Sequence, residues 1–147
     1  DICYAIGYAS VWEQFHYQIE PVSSRVPWMV AVGNHERDWP LTGSMGRNDS
    51  GGECGVPFDR RFSMPYGEED KPWYSFDYGP IHNVVLSTEH QYDEQATWLR
   101  ADLAAVERQK TPWVVVSLHR PLYVSSTNRE PGDGDQTLAT VLRAAFE

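Results

Sequence analysis

Apolar and polar positions along this chain follow two different periods. Trp12, Phe15, Ile19 and Val22 recur every three or four residues, the repeat of one helix face. Ser10 stands three residues before Glu13, the spacing of a capping box, so a helix is predicted over residues 10–23. Pro27 then opens a continuous apolar run at residues 28–32, rich in β-branched and large side chains, as expected of a strand covered on both faces. The run stops abruptly at Gly33, Asn34, His35 and Glu36. Residues 37–72 hold four prolines and six glycines with little periodicity and read as a long structured loop, a kind of segment that is usually functional or disordered.

Strand-like runs return at residues 73–78 and 81–87, and the Gly79-Pro80 turn signal between them predicts a hairpin. Ala96, Leu99, Leu103 and Val106 restore the helical spacing. An amphipathic helix is therefore predicted over residues 93–109, with Asp93 as its N-cap and Pro112 beyond its far end. A second strand-like run, residues 113–118, ends in His119, Arg120 and Pro121, and a last helix is predicted to begin near Asp135. This order is α/β in kind. Both buried runs end in residues able to bind metal, and in open α/β sheets ligands gather at the carboxyl ends of strands.

Composition sets limits on this picture. A chain of 147 residues suits one domain, and 41% hydrophobic residues with six Trp, eight Tyr and five Phe are a globular composition. No stretch approaches a transmembrane span, and no signal peptide is visible. The formal charge of −9, from 21 acids and 12 bases, argues against a nucleic-acid or anionic-membrane partner held by bulk electrostatics. An anionic ligand would need a local cation. Cys3 and Cys54 could form one bridge, and Asn48 to Ser50 make an N-x-S acceptor that matters only in a secreted chain.

Taken singly, the polar candidates favour ordinary roles. Asp1 would be a terminal acid, Tyr4 a half-buried aromatic, Asn34 a left-handed residue closing a strand, His35 a loop residue and His119 a satisfied core imidazole. His16, His82 and His90 have no partner that spacing identifies. Taken together, a carboxylate, a phenol, a carboxamide and an imidazole make a poor structural zinc site but a plausible open site for hard, Lewis-acidic cations.

The segments DICYAIGY, VGNHE and VVSLH, in this order, resemble the purple acid phosphatases, metal-dependent members of the calcineurin-like metallophosphoesterases. The blocks of that family run D-x-G, G-D-x-x-Y, G-N-H-D/E, V-x-x-H and G-H-x-H. This chain has D-x-x-Y at residues 1–4, G-N-H-E at 33–36 and V-x-x-H at 116–119. The stretches SSRVPWMVAVGNHERD, SGGECGVP, DKPWYSFDYG, STEH and QKTPWVVVSLHRPLY look like the larger plant-type enzymes, so the resemblance covers most of the chain. Tyr4 discriminates, because related phosphodiesterases and nucleotidases generally lack a tyrosine ligand there.

The resemblance implies an α/β fold that is part of the metallophosphoesterase β-sandwich flanked by helices, a four-layer αββα arrangement incomplete at both ends. Residues 1–147 would form the central part of the catalytic domain. It implies an acid phosphatase that hydrolyses phosphate monoesters by metal-activated hydroxide at a dinuclear centre of Fe(III) and a divalent zinc, manganese or iron. Asp1 would bridge the metals, Tyr4 would bind the ferric ion, and Asn34 and His119 the divalent one. His35 would face the phosphate and assist the leaving group, with Glu36 orienting its neighbours from behind. The attraction for an anionic substrate would then come from the cations and not from the surface.

The D-x-G block would lie before residue 1 and the G-H-x-H block after the last helix, leaving three of the family's seven ligands outside these residues. The isolated segment is accordingly expected to bind metals weakly and to fold marginally. Where some plant enzymes carry two substrate-contacting histidines, this chain reads YVSSTNREPGDGD, with Asn128 and Arg129 near the expected places. Arg129 or Arg120 would hold a phosphate oxygen, or else lie solvated. The competing readings are a calcineurin-like phosphodiesterase or nucleotidase and a non-catalytic homologue that keeps the fold as a binding module. The family resemblance suggests a secreted or vacuolar glycoprotein.

Overall fold

The computed structural model describes residues 1–38, 50–68, 70–127 and 136–146, the last without the side chain of Phe146. Helix α1 (Ala9–Ser23) begins one residue ahead of its predicted span, with Tyr8 and not Ser10 as N-cap. The Tyr8 N–H donates to the Ala5 carbonyl at 2.9 Å, so the chain has already turned into the helix before Ser10. Glu13, expected as the far half of a capping box, faces Arg61 at 3.2 Å instead. Trp12 is buried, but the stripe loses its last member to solvent, since Val22 is half exposed.

Residues 28–32 pair with no strand among the described residues, against the strand predicted there. Their backbone groups meet side chains: the Val30 N–H donates to Met64 Sδ at 3.4 Å, and the Val30 carbonyl accepts the Tyr74 hydroxyl at 2.9 Å. Burial of Val30 and Val32 accounts for the apolar run without requiring a ladder. A single helical turn, α2 (Asn34–Arg37), follows directly. The segment read as a loop contains a second short helix, α3 (Val56–Arg61), with Pro57 in its first turn, where its missing N–H costs no hydrogen bond.

Strands β1 (Tyr74–Tyr78) and β2 (Ile81–Val85) form the predicted hairpin, antiparallel with Tyr74 opposite Val85. Helix α4 (Tyr92–Ala105) crosses over to β3 (Trp113–Ser117), which runs parallel to β2 with Ile81 opposite Trp113. The sheet order is β1-β2-β3. Asp93 does not cap α4; the helix begins at Tyr92, and Asp93 and Glu94 lie in its first turn, where they complement the helix dipole. Helix α5 (Gln136–Phe146) packs on α4. None of the described helices is long and apolar enough to cross a membrane.

Two apolar clusters result. One joins the sheet to α4 and α5 through Trp73, Val84, Leu86, Leu99, Leu138 and Val141. The other gathers Ala5, Trp12, Val30, Val32, Phe58 and Phe62 around α1 and α3. Ile2 and Cys3 rest on the second cluster and Leu118 on the first, so Asp1 and His119 approach each other from different cores.

Candidate metal centre

Asn34 and His119, which end the two apolar runs, come together with Asp1. His119 Nε2 lies 2.6 Å from Asn34 Oδ1 and 3.4 Å from Asp1 Oδ1, and the Asp1 amino nitrogen donates to His119 Nδ1 at 2.8 Å. With Nδ1 accepting that bond, Nε2 carries the proton offered to the carboxamide oxygen. Asn34 lies in the helical turn α2, not in the left-handed region a strand-closing residue would use. Its Nδ2 is buried and has no hydrogen-bond partner among the described residues.

Glu36 is buried and ties the start of the chain to the end of the first apolar run. Its Oε1 accepts the backbone N–H groups of Ile2 at 3.0 Å and Cys3 at 3.4 Å, and its Oε2 accepts that of Gly33 at 3.2 Å. The His35 backbone N–H donates to Asp1 Oδ1 at 2.9 Å. Gly33 has an ordinary extended backbone, and the need for glycine here is steric: a Cβ would stand 2.5 Å from the Asp1 Cα and closer still to its carboxylate.

Tyr4 lies beside this group rather than within it. Its φ of 55° is an uncommon, strained value for a bulky residue. Its ring stacks on His35 at a centroid distance of 4.0 Å and remains half exposed. His35 Nδ1 is buried without a hydrogen-bond partner.

The electrostatics suit a cation. Burial, with the Asp1 amino group beside it, holds His119 below the ordinary imidazole range, so the ring is neutral at pH 7 and has a lone pair to give. The side chains of Asp1, Glu36, Asp38 and Glu89 are all buried, with Arg37 and Arg120 as the buried guanidiniums among them. Four carboxylates against two guanidiniums and the Asp1 amino group leave an excess of negative charge, which a bound cation would relieve. The donor set of carboxylate, carboxamide and neutral imidazole therefore fits a divalent ion of the zinc, manganese or iron kind. Among the described residues no cluster of three or more His, Cys, Asp and Glu side chains has metal-binding geometry; Asn34 supplies the third donor here.

One candidate moves away from substrate. Arg120, expected either to hold a phosphate oxygen or to lie solvated, is buried, with Nε donating to Glu89 Oε1 at 2.8 Å and Nη2 to Asp38 Oδ2 at 3.3 Å. Two buried carboxylates take up its guanidinium. Asn128 and Arg129 lie outside the described residues, as does Asn48 of the glycosylation tripeptide, whose Ser50 is buried. Cys3 and Cys54 are unpaired, and burial pushes the Cys3 thiol up to about 11, away from reactivity.

Sequence spacing missed the partners of two histidines. His82 sits between Asp77 at 2.7 Å and Asp102 at 3.0 Å, and His90 accepts from Arg37 Nε at 3.1 Å while meeting Ser87 Oγ at 2.7 Å. Both partnerships join segments that only the folded chain brings together. His16 stacks among Trp12, Phe15 and Phe62 with its Nε2 buried and unpartnered.

The calcineurin-like phosphoesterase family profile matches residues 4–145. A protein of Arabidopsis thaliana named probable inactive purple acid phosphatase 1 is 51% identical over 131 residues, covering 86% of this chain and 21% of that protein. A nucleotide pyrophosphatase/phosphodiesterase of Hordeum vulgare is 42% identical over 132 residues, covering 87% of this chain and 36% of that protein. Among solved structures, a purple acid phosphatase from yellow lupin (Lupinus luteus) seeds superposes with a TM-score of 0.91 at 44% identity, over 99% of this chain and 28% of that chain. The chain thus spans about a fifth of the length of the Arabidopsis relative and about a third of the Hordeum one. The α/β reading and the metallophosphoesterase fold are borne out.

Proposed function

Because this chain belongs to the calcineurin-like phosphoesterase family, we propose that it forms part of the dinuclear metal centre of a purple-acid-phosphatase-type enzyme hydrolysing phosphate monoesters. The observation that carries the reading is the convergence of Asp1 Oδ1, Asn34 Oδ1 and His119 Nε2, three Lewis-basic atoms from distant parts of the chain. Asn34 and His119 would hold a divalent zinc, manganese or iron ion, Asp1 would be shared with a ferric ion, and Tyr4 would serve that second ion. When bound, such a metal pair polarises the phosphoryl group and makes water a better nucleophile near neutral pH.

The protein's own groups do the rest. His119, kept neutral by its suppressed basicity, would offer its Nε2 lone pair in the tautomer that carries the ring proton on Nδ1. Asn34 binds without adding charge and so leaves the site electrophilic. The His35 imidazole supplies a proton or hydrogen bond to the departing alkoxide. Its backbone N–H meanwhile fixes the Asp1 carboxylate, so the proton donor and the bridging ligand keep one geometry. Glu36 holds the segment that carries Asp1 against the turn that carries Asn34 through the N–H groups of Ile2, Cys3 and Gly33. The reading places the protein in a secreted or vacuolar compartment.

The test is metal analysis, visible spectroscopy and assay of the longest natural protein that carries this chain. Hydrolysis of p-nitrophenyl phosphate, with a purple or pink band lost in Tyr4→Phe, is expected. A colourless enzyme preferring bis(p-nitrophenyl) phosphate would replace this reading with a phosphodiesterase, which the name of the Hordeum relative favours. Bound metal with neither activity would replace it with a binding module, which the name of the Arabidopsis relative favours.

A further inference from the structure

Arg120 follows His119 directly, yet its side chain runs back into the protein, away from water. Its backbone N–H donates to Thr88 Oγ1 at 3.0 Å, its Nε to Glu89 Oε1 at 2.8 Å and its Nη2 to Asp38 Oδ2 at 3.3 Å. Thr88 in turn donates its hydroxyl to Glu89 Oε1 at 2.9 Å. Arg120, which leaves β3, is thereby joined to two other segments: Thr88 and Glu89 leave β2, and Asp38 closes α2. Asp38 is joined to Asn34 itself, since the Asp38 N–H donates to the Asn34 carbonyl at 2.7 Å.

One rigid fork thus spans the two apolar clusters. Thr88 and Glu89 lie between Leu86 and Tyr92 of the first, whereas Asp38 follows the run of Val30 and Val32 in the second. His119 and Asn34 are likewise supplied from opposite clusters, so sliding of one cluster against the other would change their 2.6 Å separation. A guanidinium bonded to both sides at fixed angles resists such sliding in a way that a point charge does not.

We infer that Arg120, clamped by Glu89 and Asp38, is a positioning residue that sets the spacing of Asn34 and His119 for a divalent cation. The inference rests on the proposed function, because it assigns a structural cause to the affinity of that same site. A buried ion pair is weak grounds for stability, since desolvating its charges offsets most of their attraction. Its geometry, fixed by four hydrogen bonds, is where its effect is expected.

The test is calorimetric titration of zinc chloride into the metal-free form of the longest natural protein carrying this chain, for wild type, Arg120→Lys and His82→Gln. The last removes the contacts of His82 to Asp77 and Asp102 at the opposite end of β2 from Thr88 and serves as the stability control. Arg120→Lys is expected to weaken zinc binding about 10–100-fold, the loss typical of an outer partner of a ligand, while His82→Gln leaves it unchanged at a similar fall in melting temperature. Should Arg120→Lys fail to fold, the neutral pair Arg120→Gln with Glu89→Gln is read in the same way. Zinc affinity equal to wild type in the folded variant overturns the clamp alone. A wild type that takes up neither zinc nor manganese nor ferrous iron in the same titration overturns the functional reading and the clamp with it.

Discussion

His119 Nε2 and Asn34 Oδ1 lie 2.6 Å apart although 85 positions separate them in the chain. Such a short contact between a neutral imidazole and a carboxamide whose amide nitrogen has no partner is the arrangement of two ligands brought to one spot. Asn34→Ala is expected to reduce zinc affinity by more than the ~100-fold that loss of an outer partner costs. Calorimetric titration checks this, and an affinity within a factor of three of wild type, taken as about 0.6 kcal/mol, would remove Asn34 from the site.

Gly33→Ala places a methyl group 2.5 Å from the Asp1 Cα and closer still to its carboxylate, so the backbone of one segment must shift. A loss of roughly 1–3 kcal/mol is expected, as for other overpacked interiors. Gly67→Ala is the comparison, because a Cβ there meets nothing within 4 Å. Urea unfolding of both variants gives the difference.

His90 makes the protein less stable in acid. Burial and the Arg37 guanidinium push its pKa down to about 4, with Asp70 opposing them and Ser87 facing the other ring nitrogen. Unfolded, the ring takes a proton near pH ~6.5. The stabilisation from keeping it neutral is therefore complete above that value and disappears as the pH falls toward about 4, by about 3 kcal/mol in all. In His90→Gln the difference from wild type should shrink over this window. A constant difference across the range would show that His90 does not titrate there.

His82 works in the opposite sense. Burial lowers its pKa, but the hydrogen bonds to Asp102 and Asp77 outweigh burial and raise it overall. A raised value means that its contribution is full below the unfolded pKa and is lost as the pH rises through the folded one. Melting temperatures of wild type and His82→Gln should thus converge on going from pH ~6 to pH ~8.5. Divergence over that interval would refute the assignment.

Much of this fold could be read from residue order. The hairpin at Gly79-Pro80, the crossover helix and the run into His119 were all legible, because period-two and period-3.6 patterns record which side of an element is buried. The strand expected at residues 28–32 was not found, because an apolar run records burial and not hydrogen-bond partners, and here Met64 and Tyr74 supply them. Capping failed twice, at Ser10 and Asp93, because a cap is set by where the preceding chain turns.

What the sequence determined by itself was the set of residue types: an aspartate and a tyrosine in the first four positions, and an asparagine and a histidine where two apolar runs turn polar. Tertiary structure alone decided their company. It set Asn34 against His119, stacked Tyr4 on His35 and took Arg120 from solvent to bind Glu89 and Asp38. The reason is physical. Local pattern reports the balance of burial along one element, whereas a site is a coincidence of elements, fixed only when separate apolar cores pack and carry their polar ends together.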